Sequence, residues 1–304
     1  MLPALSKGLS CLTALCCLAT LAAAEPVTVE TARGPVTLSE RPARIAVYDI
    51  AALDTLAALD VPVAGVAQPH FVPYLDAAAA RARPIGSFFE PDFEALANLR
   101  PDVILIGPRT VRRIPALERI APVLDLSVWG SDQVALALER LEALGALTGR
   151  EAAAAGLAAR LEAKLAATRA AVAGKGAGLI LLTNGPKVSA FGAGSRFGWL
   201  HGATGLPEAV SGLGDQPHGE AVSFEFIAEA DPDWLLVIDR SAAIGEGGAG
   251  AAETLDNALV ARTTAWRKGQ VVYLDPAALY VAGGGVQAIA RTLDRLIAAF
   301  GGAS

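Results

Sequence analysis

Three arginines, one tyrosine and one histidine carry the chemical argument in this chain of 304 residues. Arg109 closes Gly107-Pro108-Arg109 just beyond the apolar run Val103 to Ile106. Arg240 follows the apolar run Trp234 to Ile238 in the same way, and Arg196 follows Gly192-Ala193-Gly194-Ser195 at another predicted strand-to-helix turn. Guanidinium forks bind flat anionic oxygens well and stay charged at any relevant pH. One such arginine is ordinary solvated surface; three at comparable strand ends form a pattern. Tyr280, in Ala278-Leu279-Tyr280-Val281-Ala282-Gly283, reads either as a half-buried packing residue or as a hard oxygen donor of the kind that suits ferric iron. His218, between Gln216-Pro217 and Gly219, sits in a polar loop open to a ligand role. His201 lies beside Trp199 and Leu200 on a predicted helix and reads as a packing residue. His70, in Gln68-Pro69-His70-Phe71, starts a loop after a strand and is a second candidate.

Several enzyme chemistries find no motif here. Gly194-Ser195 is followed by Arg196-Phe197, so the Gly-x-Ser-x-Gly elbow is missing. Gly283-Gly284-Gly285 precedes a helix without spelling a phosphate loop, and no His-Glu-x-x-His occurs. All three cysteines, Cys11, Cys16 and Cys17, lie near the amino terminus, which leaves the rest of the chain without disulfides, thiolate metal sites or cysteine nucleophiles. A secreted enzyme using a cleft is kept as an alternative reading.

The elements that must position these residues are announced by a repeat. The segment Phe93 to Arg109 reappears as Phe224 to Arg240, 131 residues later, with Phe, Glu, Ala, Pro, Asp, Leu and Arg matching at one offset. Each copy reads as a short helix, a Pro-Asp turn, a buried strand and an arginine. Two copies suggest two similar lobes, each with an arginine at the carboxyl end of a strand, where ligands bind in open α/β sheets. Around them, Ile45 to Tyr48, Val61 to Val66, Pro84 to Ser87 and Val123 to Val128 read as strands, after an opening hairpin over Val27 to Leu38. Val134 to Val172 is helical and broken at Gly149. The pattern restarts with strands at Leu179 to Thr183, Val188 to Phe191 and Val271 to Leu274. Helices are predicted at Phe197 to Thr204 and Val286 to Phe300, and Gly245 to Ala252 reads as a mobile surface loop. The fold class is therefore α/β, with two Rossmann-like lobes joined by a single long helix and a ligand cleft between them. The boundaries are a signal segment 1–24, a first lobe 25–148, a connecting helix 149–174 and a second lobe 175–304.

Composition agrees with a folded, exported protein. Hydrophobic residues make up 53% and charged residues 18%, and the net charge of −6 gives no basic footprint for nucleic acid. Lys7, the apolar run Leu9 to Leu21 and Ala22-Ala23-Ala24 before Glu25 have the form of a cleavable secretory signal. A lipid anchor fits less well, because Leu15 stands before Cys16 where a small residue is expected.

Gly86-Ser87-Phe88-Phe89-Glu90-Pro91-Asp92-Phe93-Glu94, with Pro101-Asp102 and Gly107-Pro108-Arg109, resembles the periplasmic ferric-siderophore-binding proteins of ABC importers. It is most similar to the branch that takes catecholate siderophores such as petrobactin. Ser195-Arg196-Phe197-Gly198, Leu255 to Ala261 and Val272-Tyr273-Leu274-Asp275-Pro276 support the same placement across the whole chain after the signal. The resemblance implies a periplasmic protein without turnover or permanent cofactor, a monomer that carries ferric iron as a siderophore complex. It implies that Arg109, Arg196 and Arg240 surround the anionic oxygens and that His218 and Tyr280 can coordinate the iron. A tetradentate bis-catecholate leaves two of iron's six positions for that pair. It also implies that Glu94 and Glu225, equivalent in the two copies, meet arginines on an ABC importer permease dimer in the inner membrane, with Glu90 as a substitute. A haem or corrinoid cargo of the same importer class is the alternative. Pro276-Ala277-Ala278-Leu279 departs from the family, which often has aromatics there, and leaves the siderophore's identity open.

Overall fold

The computed structural model describes residues 26–128, 130–216 and 218–302; the expected signal segment lies outside them. Among the described residues, twelve strands form a hairpin and two five-stranded sheets. The hairpin pairs β1 (Val27–Val29) with β2 (Val36–Leu38). The first sheet holds β3 (Ile45–Val47), β4 (Gly65–Val66), β5 (Arg83–Pro84), β6 (Val103–Ile106) and β7 (Val123–Asp125) in the order β5-β4-β3-β6-β7, all parallel. The second holds β8 (Gly178–Asn184), β9 (Lys187–Phe191), β10 (Glu220–Ala221), β11 (Trp234–Asp239) and β12 (Val271–Tyr273) in the order β10-β9-β8-β11-β12. The second sheet is mixed. The two-residue turn Gly185-Pro186 joins paired Asn184 and Lys187, and Gly185 at φ 55° supplies the left-handed backbone that such a tight hairpin needs. A direct turn of that length can only return the chain antiparallel.

The four residues of β6 are all buried, and β8 and β11 are buried along nearly their whole length. This is the continuous apolar signature of strands covered on both faces. Predicted strands shrink where packing gives them no neighbour: Val61 to Val66 pairs only at Gly65 and Val66. The predicted helix Phe197 to Thr204 is regular only over Trp199–Gly202, and the glycine-rich loop ends sooner than expected, because a helix starts at Ala251.

Between the two sheets run the helices Gln133–Thr148 and Glu151–Val172, separated by Gly149 in the left-handed conformation (φ 69°). The terminal helix Val286–Gly301 belongs by sequence to the second lobe, yet it packs on Glu151–Val172 and on the first helix, Ile50–Ala58. One apolar cluster consequently runs from Leu53 and Leu105 of the first lobe, through Leu144, Leu161 and Leu296, to Ile180 and Leu236 of the second sheet. A smaller cluster around Leu181, Ile227, Leu235 and Val260 fills the far face of that sheet. No helix of the described residues is long and apolar enough to cross a membrane.

Candidate functional site

The two repeat copies fold alike. The helices Phe93–Leu99 and Phe224–Ala230 are seven residues each and are capped by Asp92 and Ser223, whose side chains accept from Ala95 N and Phe226 N. Both end on a left-handed residue, Arg100 (φ 50°) and Asp231 (φ 36°), just before the Pro-Asp turn. Each then feeds the strand next to its sheet's point of reversal. Connections diverge between β3 and β6 in the first sheet and between β8 and β11 in the second. A crevice opens beyond the carboxyl ends of strands at such a point. Asp49 and Arg109 follow β3 and β6 there, and Asn184 and Arg240 stand at the ends of β8 and β11.

The crevice is a cavity of about 380 Å³ lined by Arg109 and Arg140 from the first lobe and by Arg196, His218 and Tyr280 from the second. Tyr280 is its centre. It sits on a π-helical turn, Ala277–Val281, a rare geometry often found at functional positions. Its carbonyl oxygen accepts from Arg109 Nη2 at 3.0 Å and from Arg196 Nη2 at 3.2 Å, so one acceptor is shared by cations from both lobes. Its hydroxyl accepts from Arg240 Nε at 3.2 Å. The Arg196 guanidinium also lies over the rings of Tyr280 and Phe197, at 4.8 and 4.7 Å, within cation–π range. Gln133 Nε2 donates to the Arg196 carbonyl at 2.6 Å and fixes that backbone from the first lobe.

The charges are unequally compensated. Arg240 is paired with Glu246 at 3.2 Å, and its hydrogen bond to Tyr280 raises its pKa. Arg196 is half-buried, and burial, with Arg109 close by, pulls its pKa down to about 10, still charged at neutral pH. Deeper in the cleft, Arg140 donates from Nη2 to the Leu126 carbonyl and lies 3.4 Å from Asp49 Oδ2. Arg140 Nη1 and Asp49 Oδ2 have no hydrogen-bond partner among the described residues. A half-buried cavity walled by cations that share a single carbonyl is built to receive flat, multiply anionic oxygen donors.

The sequence-predicted residues divide as follows. Arg109, Arg196, His218 and Tyr280 line one cavity, and Arg240 reaches it through the Tyr280 hydroxyl. The His218 residue is exposed at the cleft. Gly219 beside it has φ 69°, and a Cβ there would fall 2.7 Å from the Ala190 carbonyl oxygen, so glycine lets the His218 loop close onto β9. His70 is buried, accepts from Val72 N through Nδ1 and faces Asp76 at 3.3 Å through Nε2. His201 is buried against the Leu206 carbonyl, and burial lowers its pKa, which fits a neutral packing role. Glu94 and Glu225 are exposed in the first turns of the two repeated helices. The loop before Phe93 touches the segment after Arg109, through Thr110 Oγ1 to the Phe88 carbonyl and Arg113 Nε to the Phe89 carbonyl. The Glu225 carboxyl is held below the usual range by its own backbone N–H and the Ser223 hydroxyl. Asp49, Gln133, Arg140 and Asp215 also line the cavity, and no motif marks them in the sequence. Among the described residues there is no group of three or more His, Cys, Asp or Glu placed to hold a metal ion.

The petrobactin-binding protein YclQ of Bacillus subtilis is 31% identical over 261 residues, covering 84% of this chain and 82% of that protein. Its crystal structure superposes with a TM-score of 0.84 over 91% of this chain and 99% of that one. The periplasmic catecholate-siderophore-binding protein VctP of Vibrio cholerae gives a TM-score of 0.83 at 30% identity, covering 90% and 100% of the two chains. The ferric-anguibactin-binding protein FatB of Vibrio anguillarum is 28% identical over 90% of this chain and 87% of its own length. The family model described as periplasmic binding protein matches residues 45–278, from the first central strand to the turn that carries Tyr280, and the chain belongs to that family.

Proposed function

We propose that this protein captures a ferric siderophore with catecholate oxygens and delivers it to an ABC importer. The observation that carries the reading is the sharing of one acceptor by two cations: Arg109 and Arg196, from opposite lobes, both donate to the Tyr280 carbonyl. An anionic chelate entering the cleft replaces that shared carbonyl with several negative oxygens, one set for each guanidinium. Arg240, already on the Tyr280 hydroxyl, holds the third side. Tyr280 and His218 then supply two donors to iron, which arrives as cargo with its own chelator. The petrobactin, catecholate and anguibactin named for the relatives support this cargo class. Glu94 and Glu225 are the contacts to the permease dimer, one per lobe. Residues 1–24 direct the chain to the periplasm and are cleaved.

Titration of the purified protein with a ferric bis-catecholate tests the reading. Tyrosinate coordination adds to the charge-transfer absorption of the complex, and Tyr280→Phe with His218→Ala removes that change. Arg109→Ala and Arg196→Ala weaken binding. Wild-type affinity in both arginine variants would overturn the proposal.

A further inference from the structure

Asp54 of the first helix is fully buried and makes contacts that no local sequence signal announces. The first N–H groups of any helix lack intrahelical partners. The terminal helix begins after Gly285, which has no side chain to cap it. Asp54, more than 230 residues away, performs the task from the other lobe. Its Oδ1 accepts from Gln287 N at 2.8 Å and its Oδ2 from Ala288 N at 3.1 Å. Neighbouring Thr55 Oγ1 accepts from Val286 N at 3.4 Å, and Gln287 Nε2 donates back to the Asp54 carbonyl at 2.7 Å. Tyr74 closes the site by donating its hydroxyl to Asp54 Oδ2 at 2.8 Å.

The approach is close enough to dictate a residue. A Cβ added to Gly285 would lie 2.5 Å from Asp54 Cγ. Gly285 has φ −77°, which any residue adopts, so contact rather than backbone conformation requires glycine there. What the capped helix holds is the Tyr280 turn. Only Ala282-Gly283-Gly284-Gly285 separates that turn from the helix, and the link is tied at both ends, Ala282 N to the Ala277 carbonyl and Gly285 N to the Ala282 carbonyl. On the other side, Asp275 Oδ1 accepts from Ala278 N at 3.1 Å. Three residues without a side chain beyond Cα cannot wedge the turn in place by their own packing. The turn is held by its buried residues Ala277, Ala278, Leu279 and Val281 on one side and by the helix start on the other, and the anchor of that helix start belongs to the first lobe.

We infer that Asp54 is a positioning residue for cargo binding: by capping the terminal helix across the lobes, it fixes the Tyr280 carbonyl and hydroxyl where Arg109, Arg196 and Arg240 meet them. The inference rests on the cargo reading above for its ligand. It explains why a costly buried carboxyl stands where a serine at position 285 could have capped the helix locally.

The test uses the full chain with ferric bis-catecholate as probe. In the wild type, the Gln287 and Ala288 amides exchange with solvent among the slowest in the protein; fast exchange there overturns the inference without any variant. Gly285→Ala keeps every hydrogen-bonding partner and pushes the Asp54 side chain, its Cβ included, away from the helix start. It is expected to speed exchange over residues 277–288 and to weaken the probe about fivefold, as expected when a cap worth about 1 kcal/mol is lost. Asp54→Asn, which keeps one acceptor oxygen, is expected to lose less than Asp54→Ala. The deciding measurement is a cycle with Tyr280→Ala. Gly285→Ala should cost less affinity in that background than in the wild type, because only the carbonyl at position 280 is then left to be positioned. Equal losses in both backgrounds would make Asp54 a stabilising residue only and overturn its positioning role. If the wild type lacks a tyrosinate band, direct iron coordination fails while the affinity cycle still decides positioning.

Discussion

At the cleft, two guanidiniums share one acceptor, an arrangement that costs the protein stability and that, under the proposed function, cargo relieves. Arg196 has its pKa drawn down to about 10 by burial first and by Arg109 second. A base whose folded pKa is lowered is less comfortable charged in the fold than in the unfolded chain. Methionine at 196 keeps a long side chain whose sulfur can rest on the Tyr280 and Phe197 rings. Arg196→Met is therefore expected to stabilise the unliganded protein by on the order of 1 kcal/mol after solvent screening, and to weaken a ferric catecholate by about tenfold to a hundredfold. Thermal melting and a binding titration read the two effects; a variant both less stable and equally tight would contradict the account. The cleft position of Arg109 and Arg240 was legible in the sequence because the repeat sets both at strand ends, and that of Arg196 because it follows a strand and a glycine-containing turn. His218 and Tyr280 gained meaning from the resemblance, since a loop histidine and a half-buried tyrosine are common. Asp49, Arg140 and Gln133 were not legible. Their roles come from pairings made in space, such as Gln133 with the carbonyl of Arg196, 63 residues away.

Short elements here are held by what they touch more than by their own propensity. The seven-residue repeat helices are too brief to persist alone, and their caps and left-handed ends could be anticipated from Asp92, Ser223 and the Pro-Asp turns. The contact of the first helix with the terminal helix could not, because Asp54 and Gln287 are 233 residues apart. That junction has a pH signature. Burial pushes the Asp54 carboxyl up from 3.8 to about 7, against the lowering effect of the Tyr74 hydroxyl, the Gln287 and Ala288 N–H groups and nearby Arg291. Arg291 lies over the Tyr74 ring at 4.1 Å, and Asp275 adds negative charge near that tyrosine, whose own pKa is raised. A carboxyl raised in the folded state contributes stability that is complete below its unfolded pKa, near 3.8, and is lost as pH rises through about 7. Denaturant unfolding is thus expected to show a loss on the order of 2 kcal/mol from Asp54 between pH 5 and pH 8. Asp54→Asn should flatten that part of the profile; an unchanged slope would mean that another group titrates there.

For the whole molecule, the same junction bears on how far the lobes can part. The sequence suggested two units joined by a stiff helical connector. In the structure the main apolar cluster does not stop at a lobe boundary. It continues through the Gln133–Thr148, Glu151–Val172 and Val286–Gly301 helices into the second sheet, where Trp234 stacks on Phe300 at 3.8 Å between ring centroids. Hinging the lobes widely would expose part of this surface, at about 25 cal/mol for each Å² of apolar area, and would pull the terminal helix from its cap. Cargo binding should therefore adjust side chains and loops around a nearly fixed frame. The chain from residue 25 onward contains no cysteine, so Glu94→Cys with Glu225→Cys places one spin label on each lobe without interference. Electron–electron distance measurements are expected to give one narrow distribution that moves little when ferric bis-catecholate is added. A second, well-separated population in the unliganded protein would show that the shared core opens, and the rigid-frame account would fail. Adding Gly285→Ala to the labelled protein separates the two restraints. If the cap is the main restraint, the distribution broadens; if the continuous core is, it stays narrow while cargo affinity falls.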